Sequence, residues 1–239
     1  AAPGDSVTVT LCWRANQTTE SDQSGDLLLM DSVGRFAVPQ PFTLGSAYPT
    51  SRWTVEDTVR DQIVVQLPAA LETGDYRWAV DVGGAALALN PLHVTAPERT
   101  FTAPSVGQRI DANLGPVTLF GVTIPAEGAA AGSLATVTLV WEANQSPASA
   151  YHVFVHLMNE EGGIVAQSDG VPADWTRPTT GWLAGEFVTD ARALALPTGL
   201  APGRYALFAG MYGPSTNDRL TTSEFADGRV PLGTVTVAP

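Results

Sequence analysis

The sequence predicts an all-β chain built as two tandem immunoglobulin-like β-sandwiches, and three observations predict it. The first is an internal duplication. Val7-Thr-Val-Thr-Leu-Cys-Trp-Arg-Ala-Asn-Gln-Thr18 returns as Ala135-Thr-Val-Thr-Leu-Val-Trp-Glu-Ala-Asn-Gln-Ser146, and Pro49-Thr-Ser-Arg-Trp53 returns as Pro178-Thr-Thr-Gly-Trp182. Asp61, Pro68, Gly74 and Tyr76 have twins at Asp190, Pro197, Gly203 and Tyr205. A repeat this long marks two copies of one domain rather than a solenoid of short units. The second observation is composition: only 15% of residues are charged and 44% are hydrophobic, and Thr, Val, Gly and Pro suit short strands joined by turns. The third is Leu71-Glu-Thr-Gly-Asp-Tyr76, matched by Leu200-Ala-Pro-Gly-Arg-Tyr205. Each precedes a strand-like run and reads as a tyrosine corner, whose phenol bonds back to backbone.

The elements follow in order. Val7, Val9, Leu11 and Trp13 alternate with Thr8, Thr10 and Cys12, and Val137, Leu139 and Trp141 keep the same phase. That period of two marks a strand with one face inward. Leu27–Asp31 and Val153–Asn159 come next, closing at Gly34 and at Gly162-Gly163, with return strands Phe36–Val38 and Ile164–Ala166. Beyond a long loop, Asp61–Leu67 and Asp190–Leu196 each end at a proline, which stops a ladder. Trp78–Val82 and Ala206–Tyr212 follow the tyrosine corners, and Ala86–Val94 and Val230–Val237 close each copy. No segment holds a 3.6-residue apolar period over three turns, so about seven strands per copy give a sandwich. The boundary falls near Ala96-Pro97-Glu98, giving domains 1–97 and 98–239, the second with longer loops. Residues 98–113 read as a connection broken by Pro104 and Gly107. Gly115–Ile124 looks like a strand with no partner in the first copy. The first domain is therefore expected to lack its opening strand, as in a fragment of a larger protein, and to expose a sheet edge.

Bulk properties exclude several classes. A net charge of −12 opposes nucleic acid and anionic membrane surfaces alike. All twelve basic residues are arginine, so Schiff-base and P-loop chemistry is excluded. Cys12 is the single cysteine and takes the place of Val140, as a small strand hydrophobe would. No apolar run approaches the ~20 residues of a membrane span, so this segment is not expected to insert directly into a membrane.

Catalytic signatures are sparse. No nucleophile elbow, zinc-protease helix, Cys-x-x-Cys or glycine-rich phosphate loop is present, and no cofactor is implied. His152 and His156 share a strand face, but four residues span roughly 13 Å, too far to chelate one zinc. The repeated carboxylates, Asp61 with Asp190 and Asp57 with Glu186, have two readings. Paired acids hydrolyse glycosides, whereas an Asp at a loop–strand junction caps amides or holds an arginine, and the second reading is favoured. Asp169, Asp174 and Asp190 are weighed as a calcium set, although copy one lacks twins of the first two. Asn16-Gln-Thr18 and Asn144-Gln-Ser146 match the glycosylation sequon, but Asn is also a natural turn residue there.

Ig-like topology gathers three loops at one end of domain 2: Asn144–Tyr151, Asp169–Glu186 and Gly213–Asp218. That end supplies Trp175, Tyr151 and Tyr212 with Asp169, Asp174 and Arg177, aromatic faces and polar groups that suit a sugar. Trp182 has the twin Trp53 and reads as core. Trp175 has no twin and is the better platform, set against the alternative that it packs beneath its own loop.

Tyr151-His-Val-Phe-Val-His-Leu-Met158, Val165-Ala-Gln-Ser-Asp-Gly170, Arg177-Pro-Thr-Thr-Gly-Trp182, Gly185-Glu-Phe-Val-Thr-Asp190, Pro202-Gly-Arg-Tyr205 and Gly210-Met-Tyr212 occur in that order. Together they resemble the sandwich domains that follow the transmembrane part of bacterial glycosyltransferases of the dolichyl-phosphate-mannose mannosyltransferase type. The resemblance covers about residues 114 to 237, with residues 7 to 95 a degenerate copy. It implies an extracytoplasmic accessory module, periplasmic or at the cell surface, tethered through membrane segments outside this sequence. It transfers no catalytic residue. The leading expectation is thus a non-catalytic module that meets a glycan or a neighbouring protein. A carbohydrate-binding module using the domain 2 loop end is the alternative. A glycoside hydrolase using Asp190 and Glu186 comes third.

Overall fold

The computed structural model describes residues 1–34, 36–125 and 128–238. It forms two compact all-β units, Ala1–Pro97 and Glu98–Pro239. In the first, the strands are β1 (Ser6–Arg14), β2 (Ser24–Met30), β3 (Phe36–Thr43), β4 (Thr58–Gln66), β5 (Gly74–Val82) and β6 (Ala85–Val94). Among the described residues β1 pairs with β4 alone, and the second sheet runs β3-β2-β5-β6. In the other unit they are β7 (Gln108–Asn113), β8 (Val117–Thr123), β9 (Leu134–Ala143), β10 (His152–Met158), β11 (Ile164–Gly170), β12 (Phe187–Ala195), β13 (Gly203–Tyr212) and β14 (Val230–Val237). Here the sheets run β12-β9-β8-β7 and β11-β10-β13-β14. Neighbouring strands pair antiparallel throughout.

Alternation sets which face is buried. On β9, Ala135, Val137, Leu139 and Trp141 point into the core, and Val153, Val155 and Leu157 of β10 meet them from the opposite sheet. β1 keeps the phase, with Leu11 buried and Thr8, Thr10 and Cys12 exposed. The tyrosine corner forms in both units. Tyr76 Oη donates to the Glu72 carbonyl at 3.2 Å, and Tyr205 Oη to the Ala201 carbonyl at 2.8 Å.

Two elements differ from the sequence reading. The return strands extend beyond Val38 and Ala166, to Thr43 and Gly170. Pro39 and Pro41 interrupt that copy's apolar pattern, yet β3 is an edge strand, where a missing N–H costs no ladder bond. Residues 98–113 are not all connection, because β7 occupies their second half. It has only two apolar residues, Ile110 and Ala112, and its pairing with β8 is irregular between Arg109 and Ala112, where Asp111 takes a φ of 55°. Among the described residues the units thus carry six and eight strands rather than seven each.

The corner bond of Tyr205 is largely shielded. Replacing Tyr205 with phenylalanine is expected to lower stability by about 1 kcal/mol, the worth of one intramolecular hydrogen bond, as read by urea denaturation.

Candidate functional site

The repeated motifs build the same loop scaffold twice. Pro49 and Pro178 each enter a short 3-10 turn, Thr50–Arg52 and Thr179–Gly181. The threonine hydroxyls that open these turns accept from the backbone of the loop leaving β1 or β9. Gln23 N–H donates to Thr50 Oγ1 at 2.7 Å and Tyr151 N–H to Thr179 Oγ1 at 2.9 Å. The tryptophans that close the motif donate their indole N–H to the Tyr48 and Arg177 carbonyls at 2.7 and 3.1 Å. Trp182 is fully buried, as its twin led one to expect. The motif is a clasp between loops.

The repeated carboxylates complete that clasp. Asp57 accepts the Thr54 N–H and Glu186 the Leu183 N–H. Asp61 and Asp190 are buried on β4 and β12, and each accepts a loop amide at 2.8 Å, from Gly45 and Ala173 respectively. Both donors sit in the left-handed region, Gly45 at φ 61° and Ala173 at φ 52°. Glycine adopts that conformation freely, whereas alanine does not. The second copy therefore holds, against steric preference, a turn that the first holds without strain.

What holds it is Arg192, whose twin position is Ile63. Arg192 Nε donates to Asp190 Oδ2 at 2.8 Å, and its Nη2 to the carbonyls of Gly170 and Val171 at 3.1 and 2.9 Å. Both members of the pair are buried. Burial raises the Asp190 carboxyl above the ordinary range, and Arg192 beside it opposes that rise. Trp13 donates its indole N–H to Asp61 at 2.8 Å. Its twin Trp141 makes no such bond although it lies close enough to Asp190 to lower the carboxyl. The close side-chain donor to Asp190 is Arg192.

Three consecutive residues of this turn, Ala173, Asp174 and Trp175, are left-handed, with φ of 52°, 52° and 66°. Each costs roughly 1 kcal/mol or more. The turn closes on itself through Trp175 N–H to the Val171 carbonyl and Thr176 N–H to the Ala173 carbonyl, both at 3.2 Å. The outcome is an indole pushed outward: Trp175 is 64% exposed. It does not pack beneath its own loop, because Gly170, at φ 143°, offers bare backbone for the ring to rest on. A Cβ there would come within 2.7 Å of the indole.

Beside it, the His152 ring stands edge-on to Trp175 at 5.4 Å and to Tyr212 at 5.6 Å between ring centres. Burial, then Arg192, lowers the imidazole, so His152 is neutral at pH 7. Burial, then Asp169, raises the Tyr212 phenol, which stays a donor. Asp169, exposed, stands across from Phe154 in the strand register. These groups form an aromatic ledge with hydrogen-bonding groups and a carboxylate, suited to stacking and hydrogen bonding.

The structure separates the residues that the sequence grouped. Trp175, Tyr212 and Asp169 lie with His152 around the ledge, and Asp174 is exposed on the same turn. Tyr151 and Arg177 are engaged elsewhere in the structure. Tyr151 packs against the sandwich core, because alternation turns it away from His152. Arg177 is bound to the fully buried Glu186 at 2.5 Å, with Arg99 on the other carboxylate oxygen at 2.6 Å. Both arginines neutralise a core charge and do not present one. Of the proposed calcium set, Asp190 is committed to Arg192, and among the described residues no acid cluster suits a metal. Asn144 is a turn residue, donating to the Gly115 carbonyl and accepting from Thr118. Arg192 and His152 were missed as site residues. The exchange of Gly45 for Ala173 between the copies was the available signal.

Next to the ledge the outer face of β10 is covered. The Phe154 ring lies over Gly210, where a Cβ would meet it at 2.5 Å, and Arg219 stacks on the ring at 4.7 Å. His156 is buried beside it with Nδ1 unpartnered and Nε2 3.9 Å from Asp169. Burial lowers its imidazole, Asp169 opposes this, and Arg219 and Arg229 add to it.

No family model and no curated protein matches the chain. Solved structures do. A protein of Corynebacterium diphtheriae described as membrane anchored is 10% identical at a TM-score of 0.29, covering 100% of this chain and 57% of that one. A structure named pT26-6p gives 10% identity and 0.29, covering 98% and 60%. The C-terminal domain of the AgI/II polypeptide BspA of Streptococcus agalactiae gives 10% and 0.25, covering 100% and 94%. The chain spans less than two thirds of the length of the first two.

Two outcomes are expected. Arg192→Met leaves Asp190 buried without its cation and costs about 3 kcal/mol in urea denaturation, while Asp190→Asn in the same background recovers part of the loss. Secondly, the folded imidazole of His156 lies below its unfolded value of 6.5. Its contribution is present above pH 6.5 and is lost as pH falls toward the folded value. Melting curves from pH 7 to 5 should therefore fall more steeply for the native chain than for His156→Gln.

Proposed function

We propose that this chain is a non-catalytic, extracytoplasmic recognition module whose second domain binds carbohydrate on the ledge of Trp175, His152 and Tyr212. The observation that carries this reading is an exposed indole held by a strained backbone. Strain persists only where surrounding structure overdetermines it, and such sites cluster where a ligand is clamped. Here a buried ion pair, two carbonyl contacts and a glycine seat all serve to present one side chain. A rigid aromatic face matches the apolar face of a sugar ring, and Asp169 with the Tyr212 hydroxyl supplies an acceptor and a donor for sugar hydroxyls.

A catalytic reading is weakened by the state of its acids. Asp190 and Glu186 are buried against arginines and backbone amides, so neither is placed to reach a glycosidic oxygen. The extracytoplasmic placement, and an accessory role beside a membrane glycosyltransferase, rest on the resemblance carried by residues 114 to 237. Among the described residues, no helix is long and apolar enough to cross a membrane.

Glycan-array binding of the intact chain, compared with Trp175→Ala, tests the proposal. The native chain is expected to retain a subset of glycans, and the substitution to weaken them by at least about tenfold, ~1.4 kcal/mol. An array on which the native chain binds nothing, or on which Trp175→Ala binds equally, would contradict it.

A further inference from the structure

The two units join their last strands differently. In the first, Gly83-Gly84 turns β5 directly into β6, whereas in the second residues 213–229 separate β13 from β14. That segment folds back onto its own sheet. Arg219 forms a backbone bridge with Tyr212, and the Leu220 N–H donates to the Met211 carbonyl. Arg219 therefore shares the face of Tyr212 and stands beside the ledge. The surface beneath it also differs between the units. Phe154 and Gly210 pair across β10 and β13, where the first unit pairs Asp26 with Asp81.

The seat fits an arginine closely. Gly210 leaves room for the Phe154 ring, and the Arg219 guanidinium stacks on that ring at 4.7 Å. Gly228 lets the chain pass the arginine stem, since a Cβ there would come within 2.6 Å of Arg219 Cβ. Nη1 donates to the Asp227 carbonyl at 3.1 Å, and this bond leaves most of the guanidinium donors unused. In the same unit Arg99, Arg109, Arg177, Arg192 and Arg229 each hold a carboxylate. Among the described residues Arg219 holds none. The Asp227 carboxylate feels its charge but is bound by Arg229. Asp169 is on β11, across Phe154 from β13, and lies 3.9 Å from His156.

We propose, on the carbohydrate reading of the ledge, that Arg219 determines its specificity and that the bound glycan carries a carboxylate, as a uronic or sialic acid does. The sugar face stacks on Trp175 while its carboxylate accepts from the unused edge of the guanidinium. Planar pairing of this kind is what arginine offers a carboxylate and cannot offer a hydroxyl. Stacking on Phe154 fixes the guanidinium before the ligand arrives, so less side-chain freedom is lost on binding. Asp169 repels an anion on the β11 side, which directs the acid toward β13. The net charge of −12 gives no attraction at a distance, so the selectivity arises on contact.

Paired oligosaccharides test this. One of each pair ends in glucuronic acid or N-acetylneuraminic acid, and the other is the same compound with its carboxyl reduced to an alcohol. Titration of the intact chain with both gives a ratio of affinities, which does not depend on how much of a variant is folded. The native chain should favour the acid form by at least about tenfold. Arg219→Gln should bring the ratio close to one, and Arg219→Lys, which keeps the charge but not the planar fork, should lose most of it. Trp175→Ala should weaken both forms together. Binding without preference for the acid, or a preference that survives Arg219→Gln, would overturn this inference and leave the ledge reading standing. Binding confined to neutral or sulfated glycans would also overturn it. A native chain that binds no glycan would overturn both.

Discussion

The structure turns on a buried carboxylate repeated in both units, Asp61 on β4 and Asp190 on β12. A carboxylate in a sandwich core is costly unless its oxygens are satisfied. In both units part of that satisfaction comes from the amide of the loop entering the strand, through Gly45 or Ala173. The loop therefore cannot relax without leaving a charge unpaired. That coupling makes an exposed loop as fixed as the strands below it, which a binding surface requires and which loop composition alone does not provide.

The copies use this constraint differently. In the first, glycine takes the left-handed position without strain and the loop serves as a clasp. In the second, Arg192 adds a cation and two carbonyl contacts, and the turn is carried through three left-handed residues to Trp175. Such a buried ion pair is weak evidence for stability, since apolar replacements are often as stable. Its evident role here is to fix a conformation. In the first unit, among the described residues, β1 pairs with β4 alone.

Most of the frame was legible because strand alternation, proline stops and the tyrosine corner are local signals, and the duplication let each copy check the other. β7 was not legible, since Ile110 and Ala112 are its only apolar residues, too few to mark a strand. The site was legible in part. Trp175, Tyr212 and Asp169 stand out as residues on, or at the strand ends beside, loops that the topology gathers. Tyr151 and Arg177 sit on the same loops, but which way a side chain points depends on strand phase and on Glu186 deep in the core. Arg192 escaped notice because it lies mid-strand among alternating alanines, where its charge reads as outward-facing until Asp190 and the loop carbonyls are seen around it.

The account rests on Asp190 gripping the loop through the Ala173 amide. Amide hydrogen exchange on the intact chain measures that grip directly. The account predicts that the Ala173 N–H, although on a surface turn, is protected to the same degree as the ladder amides of β12. Exchange of that amide at the rate of an unprotected loop would contradict it.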